Sequence, residues 1–134
     1  MAGTQPVIYL TAGEVLTFNR EILRRAGQTS ALLRERGMLE GAIQRPRTAA
    51  YYEGADLVTQ AAIYMVSIAL NHPFVDGNKR TGYVSGMTFL QSNGYFEIDV
   101  TLNDVQLGEW LEQVVNRSIT FDAFVQLFRA RLAR

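Results

Sequence analysis

One short stretch of the chain gathers most of the residue types that could carry chemistry. It reads HPFVDGNKRT and runs from His72 to Thr81. It holds the only histidine of the 134 residues, and an acid, a glycine, an amide and two cations follow that histidine closely. A histidine can take a proton from a hydroxyl near neutral pH. The combination predicts a site where a phosphorus group passes from a nucleotide to a hydroxyl.

The second half of this stretch has the composition of an anion-binding loop. Gly77 allows the backbone to approach a ligand closely or to adopt a positive φ. If a helix starts at Asn78, its first amides have no partners within the helix and lie at the positive end of its dipole. Lys79 adds charge, and Arg80 can bind a phosphate through two parallel hydrogen bonds. Asp76 beside such a cradle is best explained as a ligand of Mg²⁺.

Each of these residues also has an ordinary structural explanation. A lone histidine before a proline is more often a structural hydrogen-bonding partner than a base. Asp76 or Asn78 could cap the helix that follows, and Lys79 and Arg80 could be surface charges. The functional interpretation depends on the combination of these residues at fixed spacing between two predicted helices.

The first third of the chain predicts two helices and a connection. Thr11 and Glu14 form a capping box for a helix that ends near Gly27. Residues 28–36 read as a loop or short turn. Met38 to Ile43 has the spacing of a short helix, which Pro46 should stop.

Residues 45–54 then read as a surface connection or as a flap that presents a substrate. The candidate contacts in this flap are Arg45, Arg47, Tyr51 and Tyr52.

The middle of the chain predicts the central helix of an all-α domain. Asp56 can cap a helix over 57–70, whose apolar residues cover most of its faces, so that it should be buried on most faces. Pro73 should end this helix near Asn71. The next helix should run over 78–93. Its two glycines, at positions 82 and 86, share a face, either because another backbone packs closely there or because they are merely tolerated.

The last third predicts a short extended segment at 96–100 and two further helices. The first helix should be capped near Asp104, with Val105, Leu107, Trp110, Leu111 and Val114 facing inward. The second should run from about Thr120 to the end of the chain. Its arginines complement the negative end of the helix dipole.

Composition narrows the class of protein. Lysine plus arginine and aspartate plus glutamate number 13 each, which argues against broad nucleic-acid or anionic-membrane binding. The chain has no cysteine, and hence no disulfide framework and no cysteine-based metal site. It lacks a signal-peptide pattern and an apolar run of membrane-spanning length. We therefore expect one cytoplasmic domain spanning residues 1–134.

The stretch HPFVDGNKRT also resembles the signature of the Fic/Doc superfamily and looks most similar to the Doc, or death-on-curing, toxins of toxin–antitoxin modules. The similarity covers most of residues 9–95, including YLT at 9–11, RGMLE at 36–40, FL at 89–90 and NGY at 93–95. It implies a compact Fic-type fold of about six helices, with a short flap at about 45–53, before the central helix, that aligns a segment of a target protein.

The resemblance also implies roles for the residues of the stretch. His72 would be the general base, and Asp76 would help to bind Mg²⁺. An anion-binding loop for ATP would comprise Gly77, Asn78 and Lys79, with Arg80 contacting nucleotide phosphate.

Two positions bear on which group is transferred. Adenylyltransferases of the superfamily have a glycine where this chain has Lys79, and an arginine where it has Tyr83. The resemblance therefore favours a Doc-type kinase that phosphorylates Ser or Thr of a host protein. The alternatives are an adenylyltransferase that uses the same loop and a catalytically silent binding module.

The implied biology is growth arrest through a target in translation, such as an elongation factor. The inhibitory helix of many Fic proteins, with the pattern Ser or Thr, three residues, Glu, then Gly or Asn, has no match in this sequence. The inhibitor is therefore expected to be a separate antitoxin chain. Neither a membrane nor direct nucleic-acid binding is expected.

Overall fold

Six α-helices make up the regular structure in the part of the chain that the computed structural model describes, which is residues 5–28, 33–96, 98 and 104–132. The helices are α1 (Ala12–Arg25), α2 (Arg36–Glu53), α3 (Leu57–Asn71), α4 (Asn78–Ser92), α5 (Val105–Val115) and α6 (Phe121–Leu132). The prediction of an all-α fold of about six helices is confirmed.

Helix α3 is the centre of the fold, as predicted. It packs against α2, α4, α5 and α6. Asp56 caps its start by accepting a hydrogen bond from the Thr59 amide at 2.9 Å. Ten of its residues are buried, from Val58 to Ala69. Because almost every face of this helix packs against other parts of the protein, its last residue, Asn71, is held in position. The next segment of the chain starts from there.

The close approach predicted from the two glycines of α4 is present in the structure. A Cβ atom at Gly82 would lie 2.5 Å from the carbonyl oxygen of Met65 in α3. A Cβ atom at Gly86 would lie 2.6 Å from the carbonyl oxygen of Ala61. Both distances are far below normal contact, so α3 and α4 pack this closely only because these positions lack side chains.

Helix α1 also forms as predicted and packs against α4. The capping box is complete, with the Glu14 amide donating to Thr11 Oγ1 at 3.2 Å and the Thr11 amide donating to Glu14 Oε1 at 2.8 Å. Gly27, just past the helix end, has a φ of 82°. Helix α1 therefore starts and ends where local sequence signals place it.

The prediction that Pro46 stops a short helix at Ile43 is wrong, because α2 continues through Pro46 to Glu53. The proline ring lies on the buried face of α2, with Leu39, Ala42 and Ala49. Packing of this face against α3 offsets the hydrogen bond that proline cannot donate. The segment predicted as a flap, 45–53, is accordingly the second half of a helix.

The C-terminal helices follow the prediction with one exception. Leu107, Leu111 and Val114 of α5 are buried, whereas Val105 is 74% exposed. Val105 is the first residue of α5, so the packing of that helix against its neighbours begins only at Leu107. Within the segment predicted to be extended, Phe96 lies in a turn and Ile98 has no regular structure. Residues 97, 99 and 100 lie outside the described residues.

Two arginines of α6 do more than complement the helix dipole. Arg129 donates two hydrogen bonds to the Asp56 carboxylate, at 2.9 and 3.2 Å, and so ties α6 to the start of α3. Arg131 pairs with Asp104, the residue that caps α5. No helix in the described part of the chain is both long and apolar enough to cross a membrane.

We expect Arg129→Gln to lower the free energy of unfolding by up to about 1 kcal/mol at neutral pH, because an ion pair with this degree of exposure contributes little. The hydrogen bond from Arg129 is the main cause that lowers the pKa of Asp56 to about 2. A lowered folded-state pKa contributes stability above the ordinary value of 3.8, and that contribution is lost as the pH falls through about 2. Urea unfolding from pH 7 to pH 2 should show the difference between the two proteins disappearing at the acid end. A difference that persists at pH 2 would mean that Arg129 acts through packing.

Candidate functional site

The stretch predicted to carry chemistry forms the connection between α3 and α4. His72 ends α3 in the left-handed conformation, with φ 48° and ψ 53°. This conformation is uncommon for a residue with a side chain, and it turns the chain out of the helix just before Pro73. Phe74 is 1% exposed and fixes the connection to the core. The imidazole of His72 thus projects from the rigid end of the central helix.

The amide side chain of Asn78 holds the connection in shape. It accepts a hydrogen bond from the Phe74 amide at 3.0 Å and donates one to the Phe74 carbonyl at 2.9 Å. The side chain is therefore occupied by the loop, and only the backbone N–H of Asn78 is suitably placed for an anion. Gly77 precedes it with a φ of 79°, which confirms the predicted need for glycine at this position.

The first turn of α4 presents amides without partners within the helix, the geometry predicted for an anion cradle, with one difference. The first hydrogen bond within the helix runs from the Thr81 amide to the Gly77 carbonyl at 2.9 Å, which leaves the amides of residues 78–80 ahead of it. The Gly77 amide instead donates to Asp76 Oδ1 at 2.8 Å. The cradle therefore consists of three amides at the positive end of the helix dipole.

Asp76 presents an exposed carboxylate beside this cradle. Its second oxygen accepts a hydrogen bond from Gln28 Nε2 at 3.1 Å. The Gln28 hydrogen bond, then the Gly77 amide, and the nearby charge of Arg80 together lower the pKa of Asp76. The carboxylate is consequently ionised near neutral pH, as a metal ligand must be.

The single acidic group of the site suits Mg²⁺ better than a metal ion whose ligands must all come from the protein. The described residues contain no group of three or more His, Cys, Asp or Glu side chains that could hold a metal ion. Mg²⁺ is commonly held by one or two carboxylates together with water and substrate phosphates. A single ionised Asp76 beside an anion cradle matches that pattern.

The two cations of the stretch have different surroundings. Lys79 forms an ion pair with Glu112 of α5, and both side chains are about half exposed. Arg80 is exposed and has no hydrogen bond or ion pair with any residue that the structure describes. Arg80 is therefore available to a phosphate, whereas Lys79 would have to share its charge with Glu112 or leave it.

An open cleft of about 460 Å³ brings all six predicted residues of the stretch together. His72, Asp76, Gly77, Asn78, Lys79 and Arg80 line one side of it. The other side comes from the end of α1 and includes Ile22 and Leu23. The cleft thus offers an imidazole, a carboxylate, backbone donors and cations to one ligand.

The sequence analysis did not identify Asn19, a residue of α1 that holds this loop in position. Asn19 is fully buried in α1. Its Nδ2 donates to the Asp76 carbonyl at 2.9 Å and to Thr81 Oγ1 at 3.0 Å. A signal was available, because Asn19 stands four residues after Val15 and three before Ile22, on the apolar face of the helix. A polar residue on such a face needs a buried partner.

Asn19→Leu should destabilise the protein by about 1–3 kcal/mol, because the Asp76 carbonyl and the Thr81 hydroxyl lose a buried donor. The loop should also shift, so activity in the cleft should fall further than the loss of folded protein explains. Urea unfolding and an activity assay on the same preparation would measure both effects. Arg20→Ala, an exposed change in the same helix, should alter neither. Full activity in a destabilised Asn19→Leu protein would contradict a positioning role for Asn19.

The predicted flap residues do not lie at this cleft. Asn71 Nδ2 donates to the Met38 carbonyl at 3.0 Å, which places the start of α2 beside the end of α3. Tyr52 lies fourteen residues further along α2, about 21 Å away at a rise of about 1.5 Å per residue. The guanidinium of Arg47 lies 4.5 Å from the centre of the Tyr9 ring. The prediction of substrate contact therefore has no support from the positions of the residues concerned, which are Arg45, Arg47, Tyr51 and Tyr52.

The segment between α1 and α2 lies beside the loop instead. The Arg34 amide donates to the Pro73 carbonyl at 2.7 Å, and Leu33 forms an isolated antiparallel bridge with Phe74. Gln28, on the same connection, contacts Asp76. Extended backbone next to His72 thus comes from residues 33 and 34, which the sequence marked only as part of a loop.

This helical domain, with a histidine and a cationic helix start on one connecting loop, has recognisable relatives. A family described as the Fic/DOC family matches residues 9–90. Toxin Doc of Mycolicibacterium smegmatis (strain ATCC 700084 / mc(2)155) is 34% identical over an alignment of 110 residues that covers 75% of this chain and 75% of that protein. Protein kinase doc of Escherichia phage P1 is 42% identical over 60 residues, which are 44% of this chain and 48% of that protein.

The chain belongs to the Fic/DOC family. The resemblance read from HPFVDGNKRT is thereby confirmed, and the matched range contains the whole loop and most of α1 to α4.

Proposed function

We propose that this protein is a toxin that transfers a phosphoryl group from ATP to a Ser or Thr hydroxyl of a host protein. The observation that carries the proposal is the cleft in which His72, Asp76 and the first turn of α4 share one ligand-sized space. Relatives named as a toxin and as a protein kinase support it. The base, the carboxylate and the anion cradle are the groups that phosphoryl transfer requires.

His72 acts as the general base in this proposal. Its imidazole has no hydrogen bond to the described residues, lies exposed in the cleft and is held by a rigid helix end. A ring nitrogen accepts the proton of the target hydroxyl as the oxygen attacks the terminal phosphorus of ATP. The bond from that phosphorus to the bridging oxygen breaks, and its electron pair leaves with ADP. A phosphate ester on the target and a protonated His72 result.

The remaining residues bind the phosphates of ATP. The amides of residues 78–80 and the guanidinium of Arg80 donate to phosphate oxygens. Asp76 would hold Mg²⁺, which neutralises phosphate charge when it is bound. The amides belong to the start of α4, and Asp76 is held by Gln28 and Gly77. Because these groups are in position before the substrate arrives, they need little reorganisation during the reaction.

Lys79 supports phosphoryl transfer over adenylyl transfer. A side chain at this position occupies space at the start of α4 that a glycine would leave open. Its ammonium group, paired with Glu112 at the edge of the cleft, can add positive charge to a transferred phosphoryl group. Tyr83, at the position of the second arginine of adenylyltransferases, is 7% exposed and belongs to the core.

The biological setting is part of the same proposal. We place the protein in the cytoplasm, as the toxin of a type II toxin–antitoxin module with a separate antitoxin chain. A component of the translation machinery is the proposed target.

Mass spectrometry of host proteins tests the chemistry directly. A cell lysate is incubated with the protein, ATP and Mg²⁺, and compared with a sample that contains the His72→Ala variant. We expect one phosphoryl group on one host protein in the first sample only. Gain of an adenylyl group would overturn the choice of reaction. Absence of any histidine-dependent modification, with purified translation factors as well, would favour a silent binding module.

A further inference from the structure

Gln28 contacts the Asp76 carboxylate from a distant part of the chain. Its side-chain amide donates to Asp76 Oδ2 at 3.1 Å, across 48 positions of the sequence. The Gly77 amide donates to the other oxygen, Oδ1, at 2.8 Å. Each carboxylate oxygen of Asp76 therefore has one donor of its own.

The end of α1 holds the backbone of Gln28 in place. The Gln28 amide donates to the Leu23 carbonyl at 2.8 Å, and the Gly27 amide donates to the Arg24 carbonyl at 3.0 Å. Gly27 has a φ of 82°. Two such bonds around a left-handed glycine are a common and well-defined ending of a helix. Gln28 therefore starts from a fixed backbone position, from which its side chain reaches Asp76.

Two donors matter here because Asp76 is exposed. The last side-chain bond of an aspartate has a broad range of rotation, and a ligand that must be ordered when it binds a metal ion loses entropy. A bond to each oxygen restricts that rotation in advance. A carboxylate offers about four acceptor positions in all, so both oxygens keep a position for a cation.

The amide of Gln28 also suits this task electrostatically. It donates a hydrogen bond without carrying a charge, so the carboxylate keeps its negative charge for a cation. A lysine or arginine at the same place would pair with Asp76 and compete with a metal ion. Asp76 forms no ion pair with any residue that the structure describes.

We propose that Gln28 is a positioning residue that orients the Asp76 carboxylate for Mg²⁺. The inference rests on the proposed function, which gives the metal ion to Asp76, and adds to it a residue that acts through Asp76. Hydrogen-bonding partners of metal ligands typically contribute about 10–100-fold to metal affinity.

Calorimetric titration of the full chain with tripolyphosphate, once with Mg²⁺ and once with EDTA, tests the assignment. The ratio of the two affinities is the metal-dependent gain. Gln28→Met keeps the length of the side chain and removes the donor, so it should reduce this gain by about tenfold and leave the affinity without metal unchanged. Gln44→Met makes the same change at an exposed position of α2 that does not line the cleft, and it should change neither affinity. Thermal unfolding of both variants checks that the fold is retained.

A double variant tests whether the effect passes through Asp76. Asp76→Asn should abolish the metal-dependent gain, and Gln28→Met should lower it no further in that background. In the phosphorylation assay, Gln28→Met should raise the Mg²⁺ concentration at half-maximal rate by about tenfold. Saturating Mg²⁺ should restore the unmodified rate, which a general disturbance of the loop would not allow.

The outcomes separate this inference from the proposed function. An unchanged gain in Gln28→Met, or an equal loss of affinity with and without Mg²⁺, would overturn the positioning role while Asp76 stays the proposed metal ligand. A full gain in Asp76→Asn would remove the metal from Asp76, and this inference with it. Failure of the unmodified protein to bind tripolyphosphate under either condition would remove the proposed phosphate site as well.

Discussion

His72→Ala should lower the rate of phosphoryl transfer by about 10²–10⁴-fold or more while leaving the fold intact. The loss is expected because no other histidine exists in the chain and Asp76, the acid among the described residues that line the cleft, is engaged. Asp76 already accepts hydrogen bonds from Gln28 and Gly77 and would serve the metal ion. Among the described side chains that line the cleft, no other is free to act as the base.

Stability should change little, because the imidazole is exposed and has no hydrogen bond to the described residues. Histidine adopts the left-handed conformation of residue 72 more readily than alanine does, so the substitution adds only a small backbone cost to folding.

The measurement compares single-turnover phosphorylation of the identified target with MgATP affinity in the same variant. Binding of MgATP should persist, since the proposed cradle consists of the amides of residues 78–80 and does not include His72. Gln91→Ala, at the far end of α4, is the matched control and should keep the full rate. A His72→Ala protein that phosphorylates at the unmodified rate would remove His72 from the chemistry. A His72→Ala protein that fails to bind MgATP would mean that His72 contributes to nucleotide binding instead.

Much of the site could be predicted because its determinants are local. The histidine, the positive-φ glycine and the start of α4 all lie within ten consecutive residues. Helix boundaries at Thr11, Asp56 and Asp104 follow from caps that bond within three or four residues. Such signals act over a short range, so the sequence alone determines them.

The errors arose where distant parts of the chain decide the outcome. Pro46 is a strong local stop signal, yet α2 continues through it because α3 covers that face. Asn19 meets Asp76 across 57 positions of the sequence, and Lys79 meets Glu112 of a different helix. The neighbouring residues indicate that Asn19 needs a buried partner, but they do not identify Asp76 or Glu112 as the partners. The helical structure of residues 45–53 was missed for the same reason, since it depends on how α2 packs against α3.

The close contact between α3 and α4 should determine both the stability of the fold and the geometry of the site. Gly82→Ala tests this contact most directly. We expect this variant to lose about 1–3 kcal/mol of unfolding free energy or more. The added Cβ would lie 2.5 Å from the Met65 carbonyl oxygen, which belongs to the backbone of the central helix. Backbone in a buried helix cannot move aside as a flexible side chain can, so the two helices must separate.

Separation of these helices should also impair the reaction, because α3 ends in His72 and α4 begins with the anion cradle. Urea unfolding would give the loss of stability, and the phosphorylation assay on the remaining folded protein would give the effect on the site. Gly13→Ala is the matched control. It makes the same chemical change at an exposed position of α1, where the nearest atom to the added Cβ would be 3.9 Å away. Because alanine favours helix over glycine by up to about 1 kcal/mol, the control should be neutral or stabilising. If Gly82→Ala were as stable as Gly13→Ala, the close packing of α3 on α4 would not be what holds the two halves of the site together.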